Sequence, residues 1–206
     1  MKINTTIPTP KPNKVGIGIM LCLFLFFVFF IHPFLAADNP VDSSVLGIEG
    51  WISLSTAAEA ATIAERDSYR TIIITGPECS GVGRKISCNA TIVSILYDHD
   101  MSGKSIITGA TRESHSSRTA SYAYALKDIM ANHTPPLNSV NIFTEGVHAE
   151  KSYVTYKNIL GPKITVGVIS GTPGEYNPQF WWVSVKGWKW VLFDLFKYIR
   201  ALIVGY

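Results

Sequence analysis

Two carboxylates stand directly behind apolar, strand-forming runs. Glu49 follows Val45-Leu46-Gly47-Ile48, and Glu145 follows Val140-Asn141-Ile142-Phe143-Thr144. At adjacent strand ends such a pair can work as general acid and base. The alternative is that each caps the next helix or pairs with Arg112 or Arg118. His148, two residues past Gly146 at the start of a helix, reads as a general base, as a donor to an anion, or as a capping or exposed histidine. The helix starts after Gly76, Ser117 and Gly146 offer unpaired N–H groups, which suit phosphate or carboxylate. Arg112 and Arg118 add permanent positive charge with fork geometry. Together these residues point to an anionic ligand.

Other chemistries lack their motifs. Gly81-Val82-Gly83 is not followed by a third glycine at dinucleotide spacing, and no G-x-S-x-G elbow occurs. His99, His115, His133 and His148 show no paired ligand spacing, so no metal site and no cofactor are expected. Cys79 and Cys88 suit a disulfide if they lie outside the cytoplasm. The 206 residues carry a net charge of +3, but Lys2, Lys11 and Lys14 lie in the first forty residues against Asp38 alone. The rest holds 15 basic and 14 acidic residues, a net of +1. A domain this close to neutral gives no reason to expect nucleic-acid binding. With 47% hydrophobic residues the chain has ample material for a core, which excludes disorder as its main state.

Helices and strands alternate through the region that must position these groups. Strands are predicted at 45–48, 71–75, 105–108, 140–144 and 164–170, each a short apolar or β-branched run. Helices are predicted at 53–66, capped by Ser53 or Ser55, and at 89–99, 118–130, from Gly146 to Leu160, and at 183–204. That alternation predicts an α/β fold: a three-layer, Rossmann-like, doubly wound parallel sheet of about five strands. With strand order 3-2-1-4-5 the ligand site falls between the first and fourth strands, beyond their C-terminal ends. The last helix interleaves Trp188, Trp190, Phe193, Phe196 and Tyr198 with Lys189, Asp194, Lys197 and Arg200. It either packs its aromatics onto the sheet or lies in a membrane interface.

From Val15 to Ala37 the chain is apolar except for His32, enough for a spanning helix. Lysines precede it and Asp38 and Asp42 follow, so the positive-inside rule places residues 1–14 in the cytoplasm. A cleaved signal peptide ending near Ala36-Ala37 is the rival reading, but the apolar stretch is longer than the ~7–15 residues of a signal core. The expected organisation is a cytoplasmic tail 1–14, a transmembrane anchor 15–37, a linker 38–43 and an α/β domain 44–206. The protein is then single-pass in the inner (plasma) membrane, with its domain on the periplasmic, extracytoplasmic side.

Several blocks resemble one bacterial family. Leu46-Gly47-Ile48-Glu49-Gly50-Trp51-Ile52 is similar to the VVEGW opening of one branch of the SanA/ElyC/YdcF family, and Thr75-Gly76-Pro77 to its TTGGP. Arg118-Thr119-Ala120-Ser121 resembles its RTYxSA helix start. Thr144-Glu145-Gly146-Val147-His148-Ala149 resembles TxGVHARRS, with Glu150 and Lys151 where the pattern has two arginines. Val166–Ser170 and Tyr176–Trp182 resemble VGIIS and YDPxxWW. The resemblance implies a Rossmann-like domain behind one anchor, with a role in cell-envelope biogenesis. It also implies Glu49 and His148 as catalytic candidates, and Gly76, Arg118, Thr119 and Gly146 as ligand-binding candidates. The function expected is binding or processing of a small anionic or lipid-linked ligand. The alternative is a non-catalytic anchored regulatory or scaffolding domain, favoured by the acidic Glu150.

Overall fold

The computed structural model describes residues 14–77, 88–111 and 117–206. Helix α1 (Lys14–Leu35) leads into β1 (Val45–Glu49), α2 (Leu54–Arg66), β2 (Thr71–Gly76) and α3 (Asn89–Tyr97). These are followed by β3 (Ser105–Ala110), α4 (Arg118–Asn132), β4 (Ser139–Glu145), α5 (Ala149–Leu160), β5 (Thr165–Gly171) and α6 (Val185–Val204). The five strands form one parallel sheet in the order β3-β2-β1-β4-β5. The topology is therefore doubly wound, with the switch between β1 and β4. Cys79 lies outside the described residues, as does Arg112, so the expected Cys79–Cys88 bridge stays an expectation.

Both faces of the sheet are covered, which is why its central strands, β2 above all, are apolar on both sides rather than alternating with charged residues. Alternate residues serve opposite faces. Leu46, Ile48, Ile72, Ile74 and Phe143 pack under α2 and α3, around Ala57, Ala61, Ile92 and Leu96. Val45, Ile73, Val140 and Ile142 pack under α4 and α5, around Ala123, Leu126, Met130 and Tyr156. Serines open the helices as expected from their capping strength. Ser53 accepts from Thr56 N, Ser117 from Ala120 N and Ser184 from Gly187 N.

The linker segment 38–43 is tied to the sheet. Asn39 exchanges backbone hydrogen bonds with Val168, covering the edge of β5. The Asn141 side chain donates to Val41 O at 2.9 Å and accepts from Val41 N at 2.8 Å. The segment that follows α1 is thus latched to the sheet. One expectation is corrected: of the two readings of the last helix, packing of its aromatics onto the sheet is not what the fold shows. The helix packs on α5 and on α1, where Trp181, Val191 and Trp188 meet Val28, Leu35 and Val147. It begins at Val185, because Pro178–Val183 forms a separate 3-10 turn capped by Asn177.

Candidate functional site

His148 closes a 3-10 turn, Gly146–His148, that leaves the end of β4. Gly146 starts that turn at φ +52, where a Cβ would also press on Pro173 at 3.2 Å. The turn aims the imidazole across the switch point, against the Trp51 ring that follows β1 (centroids 4.8 Å apart, edge to face). His148 Nδ1 lies 2.8 Å from Asp194 Oδ1, and Nε2 lies 3.3 Å from Thr119 Oγ1. A carboxylate only accepts, so Nδ1 carries the hydrogen. In the neutral ring Nε2 is then the acceptor, and the Thr119 hydroxyl donates to it. The arrangement has the logic of a base oriented by a carboxylate with a hydroxyl in reach.

Asp194 is fully buried on α6, and its Oδ1 also accepts from Lys197 Nζ at 2.9 Å. Burial alone would raise its pKa, but His148 and Lys197 hold the carboxyl below its ordinary range. Oδ2 is buried with no hydrogen-bond partner among the described residues.

Around this pair lies a cleft of about 250 Å³. Its walls bring together Arg118, Thr119 and Tyr122 from α4, Lys151 from α5, and Trp190, Lys197 and Arg200 from α6. Trp51, Ser117, His148 and Tyr206 complete it, and none of these lining residues is acidic. Lys151 is only 6% exposed, and its amine is 3.5 Å from Ser117 Oγ. Burial is the main cause that lowers its pKa to about 8. Lys197 and Arg118 push the same way, against Glu49 and Asp194. Lys197 also lies over the face of Trp190, 6.0 Å from the ring centre. Arg118 is exposed at the rim, in the first turn of α4. A cation is disfavoured there by the helix dipole unless an anion joins it.

The other candidates from the sequence lie elsewhere. Glu49 is fully buried beneath the cleft and does not line it. Trp51 Nε1 donates to it at 2.8 Å, Ser152 Oγ at 3.1 Å, and Thr144 Oγ1 donates as well. Its oxygens are committed to bracing α5 and the Trp51 loop, so it does not face His148 across open space. Glu145 is committed too, accepting from Ser53 N at 2.7 Å and Gly174 N at 2.9 Å. Gly76 and Gly146 line no part of the cleft. Gly76 is a close-approach position, since a Cβ there would sit 2.5 Å from Gly50 Cα. Glu150 also lies outside the cleft walls, whereas Lys151 supplies a cation there, so the departure from the two-arginine pattern keeps one positive group at the site.

Sequence reasoning missed Asp194, Lys151, Trp190, Lys197 and Arg200. The usable signal for Asp194 is its position among Gly187, Val191 and Ala201, the buried side of α6. An acid on an apolar stripe needs a partner. No family model, curated protein or solved structure matches the chain.

Proposed function

We propose that this is a membrane-anchored cell-envelope protein of the SanA/ElyC/YdcF type that binds or processes a small anionic or lipid-linked ligand. The observation that carries the reading is the ring of Arg118, Lys151, Lys197 and Arg200 around the His148–Asp194 pair, with no acidic side chain among the described residues of the cleft wall. Arg118 and Lys151 hold the negative group. His148 takes or gives a proton at Nε2, in the place now held by the Thr119 hydroxyl. Asp194 fixes the tautomer and offsets the charge that forms on the ring. Trp51 and Trp190, stacked with centroids 6.5 Å apart, supply an apolar wall beside the charges. The lysines before α1 favour a cytoplasmic N-terminus and an extracytoplasmic domain.

One observation favours the non-catalytic alternative: Thr119 covers Nε2 and leaves His148 only 6% exposed. Native mass spectrometry of the full chain in uncharged detergent tests the reading. The wild type should retain a phosphate- or carboxylate-bearing adduct, or acquire one on incubation with inorganic phosphate, and Arg118→Ala should not. A wild type that carries no adduct under either condition refutes it. An adduct whose covalent structure is the same in the wild type and His148→Ala, with no turnover in either, leaves binding without chemistry.

A further inference from the structure

Helix α6 is apolar on two sides. One side, with Gly187, Val191 and Ala201, is buried on the protein. The opposite side carries Val185, Lys189, Leu192, Phe196, Ile199 and Ile203, spaced 4, 3, 4, 3 and 4 residues apart and apolar except for Lys189. That spacing keeps them on one stripe. The stripe is open: Val185 is 88%, Phe196 70% and Ile203 79% exposed. Phe180 and Val183, in the 3-10 turn before α6, extend it at one end, at 53% and 74% exposed. An apolar surface of this extent marks an interaction face.

Its surroundings identify the occupant. The helix α1, with 22 residues and a mean hydropathy of 2.6, is long and apolar enough to cross a bilayer. It runs beside α6 in the same direction. Phe24 stacks on Trp188 (6.3 Å between centroids), Phe29 meets Trp182 (5.5 Å) and Phe34 meets Tyr198 (5.5 Å). At 1.5 Å per residue α1 is about 33 Å long, and Phe24 lies about 16 Å before its end. A hydrocarbon core about 30 Å thick leaves only a few ångströms of slack. The Asn39–Val168 and Val41–Asn141 latches prevent the domain from standing off on a tether. Any bilayer that α1 spans therefore reaches the level of Trp182 and Trp188.

We infer that the outward stripe of α6 and the 3-10 turn before it are embedded in the lipid of the bilayer that α1 crosses. The junction of that turn with α6, the deepest point, presents Phe180, Val183 and Val185. Lys186 lies on the side of α6 opposite Trp188 and is paired with Glu175 at 2.8 Å. Lys189, one turn after Val185 on the stripe, borders the polar side that holds Glu175, Lys186 and Lys197. The flexible stems of Lys186 and Lys189 carry their ammonium groups toward that side and away from the acyl chains. This inference does not depend on the chemistry of the cleft.

Photocrosslinking of the full chain in phosphatidylcholine vesicles tests it. p-Benzoylphenylalanine is placed in turn at Val185, at Phe196 and at exposed Thr62 on α2. Illumination should give phospholipid adducts at Val185 and Phe196 in several-fold higher yield than at Thr62, at every protein-to-lipid ratio. Protein–protein adducts in their place, lost on dilution with lipid, would show that a second copy covers the stripe and would overturn the inference. Yields no higher than at Thr62 would show a water-facing stripe and would overturn it too.

Discussion

Asp194 Oδ1 lies 2.8 Å from His148 Nδ1, so the last helix supplies the partner of a histidine that leaves the fourth strand. Asp194→Ala would strand the buried Nδ1–H and remove the partner of the half-exposed Lys197 ammonium, at a cost of about 1–3 kcal/mol. Because the folded carboxyl is held below the ordinary value of 3.8, its stabilisation is present above that pH. It is lost as pH falls through the folded value. Urea midpoints measured from pH 7 down to pH 3 should therefore fall less steeply in Asp194→Asn than in the wild type.

Lys151 gives the opposite slope. Its pKa falls from 10.5 unfolded to about 8 folded, so the charged form is penalised by burial below pH 8. Stability should rise as pH climbs from about 8 to 10.5, and Lys151→Met should gain up to about 3 kcal/mol at pH 7. Ligand affinity should move the other way. Sulfate, whose charge is constant in this range, should bind more weakly at pH 9 than at pH 7. Lys151→Met should bind it weakly at both, as read by calorimetric titration.

Glu49 and Arg118 separate bracing from binding. Glu49→Ala removes the acceptor of the buried Thr144 and Ser152 hydroxyls and of the half-buried Trp51 ring, and chemical denaturation should show a loss of about 3 kcal/mol. Arg118 is exposed at the rim, so Arg118→Ala should stay within about 0.5 kcal/mol of the wild type. A stable Glu49→Ala with a full loss of ligand would return Glu49 to the site.

The sheet was legible because β2 and β4 are β-branched or aromatic runs cut off by glycine, proline or a carboxylate. Handedness rules that act on any βα alternation favoured a doubly wound sheet, and the order 3-2-1-4-5, taken as a condition from the sequence, is the one the fold has. His148 and Arg118 were legible because strand ends and helix starts converge at a switch point. Asp194, Lys197 and Trp190 were not, since charges among aromatics on a helix read as an ordinary solvated face. Which face of α6 turns inward depends on α1, a contact between the two ends of the chain that no local pattern encodes. The environment of Glu49 was hidden for a related reason: a strand-end carboxylate reads as catalytic from sequence, whereas in the fold Trp51, Thr144 and Ser152 donate to it.

The orientation of the anchor is checked by a reporter active only in the cytoplasm, fused after Tyr206. The asymmetry of Lys2, Lys11 and Lys14 against Asp38 and Asp42 predicts silence. A strong signal would place the domain inside and remove the oxidising setting expected for Cys79 and Cys88.

The most direct measurement is the affinity of the full chain for sulfate at pH 7 by calorimetric titration in uncharged detergent, in the wild type and Arg118→Ala. The cleft between α4, α5 and α6 predicts saturable binding to the wild type and a loss of about tenfold, near 1.4 kcal/mol, in a variant of unchanged stability. Equal affinity in the two proteins, or no saturable binding to the wild type, would contradict an anion site at Arg118 and His148.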